Sequence, residues 1–197
     1  NKNIKLDSLS SLGLDENKPT LLYAPTFYPS SIELFSRNFP DDFKDFNIIL
    51  KPHFFSLTLK KYKAQKLLLE AWEKFDNVYL TKIEDYNLLN FMIISDVLIS
   101  DASSSIFEFA ALDKPVIWCD FYKLRWTYRG LLSFRFKKRV DESIEVFHQL
   151  CERAKNYQNL ENAVLNSIAN PDSKKSIRHA ITEEYIGKVD GLCSNRI

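Results

Sequence analysis

The side chains best suited to chemistry are gathered in residues 95–118, SDVLISDASSSIFEFAALDKPVIW. Asp101 closes an apolar run, Ser103, Ser104 and Ser105 follow, and Glu108 stands a few residues beyond. A serine at a helix start accepts hydrogen bonds from the first free backbone N–H groups. Those same N–H groups, with the helix dipole, form an anion site. Small hydroxyl side chains let a diphosphate approach closely and add donors, so the pattern reads as a phosphate cradle built without glycine. Glu108, about one helical turn onward, can accept hydrogen bonds from ribose hydroxyls. A capped helix with no ligand is the alternative. Three consecutive serines exceed what capping requires, and Asp101 adds a second polar cost at the same spot. His53 is the other candidate. It follows the apolar run NIIL and Lys51-Pro52, and either points into a cleft or is a structural loop histidine.

These residues need elements to hold them. Short apolar runs predict strands over 20–24, 47–50, 78–80, 97–99 and 115–118. Longer amphipathic stretches predict helices over 57–75, 85–94, 103–112, 141–156, 160–168 and 174–188. The β-α-β-α rhythm implies an α/β fold, a Rossmann-like parallel sheet with helices on both faces. The strands lack polar alternation, as expected when both faces are buried. In such sheets ligands bind outside the carboxyl ends of the strands. The loops to search are therefore 25–30, 51–55, 100–105 and 119–122. Residues 1–19 read as a polar linker, and 20–197 as one domain.

Composition excludes several classes. The 197 residues carry 27 basic and 26 acidic side chains, a net charge of +1, so no basic face argues for nucleic acid. The densest basic run, RFKKR at 135–139, reads as a solvated segment or as a contact for a phosphate-rich polymer or lipid headgroup. Only 4 glycines are present, with neither GxGxxG nor GxxxxGK[ST]. Cys119, Cys151 and Cys193 are scattered, which argues against a disulfide framework or zinc site and for a reducing cytoplasm. No metal-ligand cluster is visible, and no apolar run approaches the ~20 residues that span a bilayer. His148 and His179 lie outside any motif. Trp118 and Trp126 read as packing residues, or as one flank of a nucleobase.

The stretch DVLISDASSSIFEFAALDKPVIW, followed by DFYKLRWTYRG, resembles the carboxyl-terminal domain of the CDP-glycerol:poly(glycerophosphate) glycerophosphotransferase family. LLYAPTF at 21–27, LKPH at 50–53 and VDGLCSNRI at 189–197 resemble further motifs of that family, in order along the chain. Ala102, Phe54 and Glu108 depart from its commoner tyrosine, proline and aspartate. The resemblance implies the carboxyl-terminal half of a GT-B fold. It implies transfer of a polyol phosphate from a CDP-linked donor to a hydroxyl of a cell-surface polymer such as teichoic acid or capsule, with release of CMP.

By the same resemblance, His53 contacts the donor diphosphate and stabilises its charge, Ser103, Ser104 and the backbone of Ser105 hold the phosphates, and Glu108 holds the ribose. Asp101 orients the loop or binds donor hydroxyls. Thr26 bonds a phosphate or is a turn residue, and Arg129 adds a positive charge or makes a structural pair. The catalytic base is expected from a histidine of an amino-terminal domain not matched here, so the chain should bind donor without turnover. The CDP-linked donor, the polymer acceptor and that missing domain are the implied partners, with no further cofactor. The implied location is the cytoplasm, at the inner face of the membrane for the longer protein. Two alternatives stay open: a GT-B glycosyltransferase or epimerase half using a UDP-sugar, and a non-catalytic Rossmann-like module.

Overall fold

Six short strands, the first five of them apolar runs, form one parallel sheet: β1 (Thr20–Tyr23), β2 (Asn47–Leu50), β3 (Val78–Leu80), β4 (Val97–Ser100), β5 (Val116–Cys119) and β6 (Glu152–Ala154). Their order is β3-β2-β1-β4-β5-β6. A computed structural model gives these positions and describes residues 8–124, 144–190 and 192. The helices are α1 (Phe39–Asp42), α2 (Phe54–Thr58), α3 (Lys63–Trp72), α4 (Leu88–Ile94), α5 (Ser105–Ala110), α6 (Ile144–Leu150), α7 (Leu160–Ala169) and α8 (Lys175–Tyr185). Among the described residues, no helix is long and apolar enough to cross a membrane.

Strand side chains alternate between the faces, and both faces are apolar. Leu21, Tyr23, Ile48, Leu50, Ile99 and Ile117 point into one core. Leu22, Ile49, Leu98, Val116 and Trp118 point into the other. The first core is strongly aromatic. Phe39 packs edge-on against Trp72 at 5.2 Å and Phe35 at 5.0 Å, while Tyr23 stacks on Phe35 at 4.5 Å. The second core takes in Leu9 and Leu14 from the 1–19 lead-in, both buried against the sheet.

Three expected elements differ, each for a physical reason. The single helix expected over 57–75 is broken: α2 ends at Thr58, Leu59 is extended, and a 3-10 turn, Lys60–Tyr62, precedes α3. The break lets Tyr62 turn inward onto Phe27, 5.6 Å away, a tertiary contact that helix propensity does not encode. The helix expected from residue 85 begins at Leu88, because the Asn87 side chain accepts from Leu89 N at 3.0 Å and fixes the start. The helix expected over 141–156 stops at Leu150, and Glu152–Ala154 is instead the edge strand β6, paired with β5. Its polar composition hid it, since an edge strand need bury only part of its surface. Residues 141–143, with Arg129, Trp126, RFKKR and Cys193, lie outside the described residues.

Phe39→Ala removes a fully buried ring from the aromatic core and should lower the unfolding free energy by about 3–5 kcal/mol in urea titration. A loss below about 1 kcal/mol would mean that this core is not assembled as described.

Candidate functional site

The carboxyl ends of β1, β2 and β4 open onto one cavity of about 320 Å³. Thr26 comes from the loop after β1, Lys51 and His53 from that after β2, Ser103 and Ser104 from that after β4, and Ser105 and Glu108 from the first turn of α5. Phe54, Ile83, Tyr86 and Leu88 form an apolar wall. Larger clefts, about 500 and 490 Å³, lie at the opposite end of the sheet. Their linings, including Lys18, Asn47 and Asn77 in one and Pro19, Asp96 and Pro115 in the other, come from the beginnings of strands, away from where parallel sheets bind ligands.

Asp101 is buried beneath this cavity and does not line it. Its carboxyl accepts from Thr26 N at 3.0 Å and Ser31 N at 3.2 Å, tying the loop after β1 to the end of β4. Of its two expected roles, orienting the loop is the one with contacts. Burial pushes the Asp101 carboxyl up to about 7, against the lowering effect of the hydrogen bonds from Ser31 and Thr26. Thr26 Oγ1 donates to Pro29 O at 2.5 Å and lies 3.3 Å from Asp101 Oδ2, a longer second contact of the same hydroxyl. Tyr23, whose hydroxyl lies 2.8 Å from Ser31 Oγ, and Cys119 complete the buried group. Burial, then the proximity of Asp101, raises both. Thr26 lines the cavity, but its N–H and O–H are both engaged within the protein, so it contributes shape rather than a free donor.

The serine segment is arranged differently from a simple cap. Ser104 occupies the N-cap position of α5 without a side-chain capping bond. Ser103 and Ser105 hydroxyls lie 2.5 Å apart, each within 3.4 Å of Ser100 Oγ, which donates to Ala24 O at 2.7 Å. The serines thus knit the end of β4 to the end of β1. Within the described residues, the backbone N–H groups of Ser103 and Ser104 have no acceptor, and both residues line the cavity. Glu108 is exposed on the same rim.

His53 caps α2: its Nδ1 accepts from Phe55 N at 3.2 Å. An accepting Nδ1 puts the proton of the neutral ring on Nε2. Phe27, Phe54 and Phe55 hold the imidazole, with ring centroids at 4.6, 4.8 and 4.9 Å. Burial, and then the positive charge of Lys51, hold His53 below its ordinary range. Burial also lowers the Lys51 ammonium, partly offset by Asp85. Lys51 is the cation that sequence reasoning passed over. Its position beside His53 in LKPH, just after a strand, was the available signal. The apolar wall around Ile83 and Tyr86, the latter 85% exposed, carried no motif to mark it. His148 packs edge-on to Trp118, His179 pairs with Asp113, and neither lines the cavity. Among the described residues, no three His, Cys, Asp or Glu side chains are grouped to hold a metal.

An all-parallel sheet in this order, with its polar cleft where the strand order reverses between β1 and β4, is a Rossmann-like half of a GT-B fold. Residues 2–197 match the model of CDP-Glycerol:Poly(glycerophosphate) glycerophosphotransferase, and the chain belongs to that family. The teichoic acid glycerol-phosphate primase of Bacillus spizizenii (strain ATCC 23059 / NRRL B-14472 / W23) is 37% identical over 112 residues, covering 57% of this chain and 28% of the primase. The wall teichoic acid polymerase TagF matches in structure with a TM-score of 0.66 and 19% identity, over 100% of this chain and 46% of TagF. The carboxyl-terminal CMP-Kdo binding domain of WaaA from Acinetobacter baumannii matches at a TM-score of 0.55 and 16% identity, over 91% of this chain and 96% of that domain. The chain therefore spans less than half the length of the primase and of the polymerase.

The raised Asp101 carboxyl predicts a pH dependence. The folded chain binds a proton near pH 7 that the unfolded chain binds only near 3.8, so the stability due to this group is full at low pH and lost as pH rises through 7. Measured against Asp101→Asn, the wild type should gain roughly 2 kcal/mol of stability between about pH 8 and about pH 5. Parallel pH curves for the two proteins would contradict the buried, proton-binding carboxyl.

Proposed function

We propose that this chain is the donor-binding domain of a transferase that moves glycerol phosphate, or a similar polyol phosphate, from a CDP-linked donor to a hydroxyl of a cell-surface polymer. The observation that carries the reading is the convergence of Lys51, His53 and the Ser103–Ser105 segment on one cavity in a member of this family. In the reaction an acceptor oxygen attacks the phosphorus that bears the glycerol. The bond from that phosphorus to the bridging oxygen breaks, CMP leaves, and the acceptor proton passes to a base.

The chain's own groups suit the donor side of this step. The N–H groups of Ser103 and Ser104 and the Ser104 hydroxyl, free among the described residues, face a diphosphate. His53 donates from Nε2, and Lys51 supplies positive charge as negative charge grows on the leaving phosphate. Glu108 accepts from the ribose, and the Phe54–Ile83–Tyr86 wall receives the flat face of the base. Asp101 and Thr26 hold the loop rather than the ligand. None of the described cavity groups is assigned as the acceptor's base, which fits a base supplied by an amino-terminal domain. The polymer acceptor, and a working position at the inner face of the membrane, follow from the same reading.

Calorimetric titration of the chain should show saturable binding of CDP-glycerol, in about the millimolar range for half an active site, ahead of UDP-GlcNAc. His53→Ala and Ser104→Ala should each weaken it about tenfold by removing a hydrogen bond to a charged ligand. A preference for UDP-GlcNAc would place the chain with UDP-sugar enzymes, and binding of neither would favour a non-catalytic module.

A further inference from the structure

Between Asp45 and Glu70 the chain has no acidic residue, although its basic and acidic totals, 27 and 26, nearly balance. The same stretch carries Lys51, Lys60, Lys61, Lys63 and Lys66. The last four flank the break before α3 and are all exposed. Lys66 meets Glu70 at 3.6 Å in an open i,i+4 pair, and Lys61 lies over the Tyr62 ring at 5.1 Å. Among the described residues, Lys60, Lys61 and Lys63 have no acidic partner.

This basic strip is joined to the cavity. Tyr62, buried in its middle, packs on Phe27, which packs in turn on His53 at 4.6 Å. Gln65, on the inner side of α3, donates to Phe27 O at 3.1 Å. The lysines thus form the outer surface of the aromatic cluster whose inner edge carries His53. Lysine ammonium groups on flexible stems suit a ligand with repeated charge and no fixed geometry. Leu69 and Trp72 of α3 are turned into the core, Leu68 is half-buried, and Leu67 is the one exposed leucine of the helix, so the strip offers charge with a single apolar side chain rather than the broad apolar face that an interfacial membrane helix inserts.

We propose that Lys60, Lys61, Lys63 and Lys66 form a docking strip for a phosphodiester polymer, holding the acceptor chain beside the cavity in which its free end reacts. The assignment rests on the proposed polyol-phosphate transfer for the identity of the polymer, and on the strip itself for its location. Binding of this kind releases counterions and weakens steeply with salt.

The test uses the whole chain and a fluorescently labelled, soluble glycerol-phosphate oligomer, with polarisation followed at several salt concentrations. Replacing the four lysines together with glutamine should weaken oligomer binding by about tenfold or more and flatten its salt dependence. CDP-glycerol affinity should not change. A control with Lys44, Lys74, Lys155 and Lys188 replaced by glutamine loses the same charge elsewhere and should retain most of the binding. Equal oligomer affinity in the wild type and the strip variant would overturn the proposal. So would an equal loss in the control, or a variant that loses only phosphatidylglycerol vesicles and keeps the oligomer. A wild type that binds the oligomer through the strip but not CDP-glycerol would instead contradict the donor-site reading.

Discussion

A buried carboxyl holds the site together. Asp101, at the end of β4, fastens the backbone of Thr26 and Ser31, and so fixes the loop that leaves β1. Removing a carboxylate from water is costly, and the hydrogen bonds it accepts offset only part of that cost, which is why burial dominates its proton affinity. Ser100 makes the second tie, donating to Ala24 O across the same strand pair. Together these contacts set the floor of the cavity, on which the serine segment and His53 stand.

Topology explains why one floor serves residues so distant in sequence. The chain runs outward from β1 to β3, then returns to place β4 on the other side of β1. The loops after β1 and β4 diverge to opposite faces there and leave a crevice. The loop after β2 enters from the side, where Phe27, Phe54 and Phe55 clasp His53. The imidazole is thereby held neutral, with one nitrogen spent on α2 and a proton left on the other. It can donate to an anion without first losing or gaining a proton.

Much of this was legible from the sequence, because a doubly buried parallel strand must be an apolar run and five of the six strands are. The cluster of polar residues at strand ends was legible too, since polar groups in such places need a reason. What local pattern could not show was set by tertiary contacts. Tyr62 breaks a stretch that would otherwise be one helix, and β6 is polar because it lies at the edge. The sequence left Asp101 between orienting the loop and binding donor hydroxyls, and the backbone amides it holds are distant in sequence, beyond the reach of local pattern. The Ser103 and Ser105 hydroxyls face each other and Ser100, leaving the N–H groups of Ser103 and Ser104 as donors free among the described residues. Lys51 was overlooked because lysine after a strand is unremarkable until the fold puts it beside His53.

The most direct test of the account is to map which backbone amides respond as CDP-glycerol is added to the isotopically labelled chain. Saturable shifts concentrated at Lys51, His53, Ser103, Ser104, Ser105 and Glu108 would place the donor at the carboxyl ends of β2 and β4. Shifts concentrated instead at Leu14, Asp15, Lys18 and Asn77, in the larger cleft at the opposite end of the sheet, would contradict it.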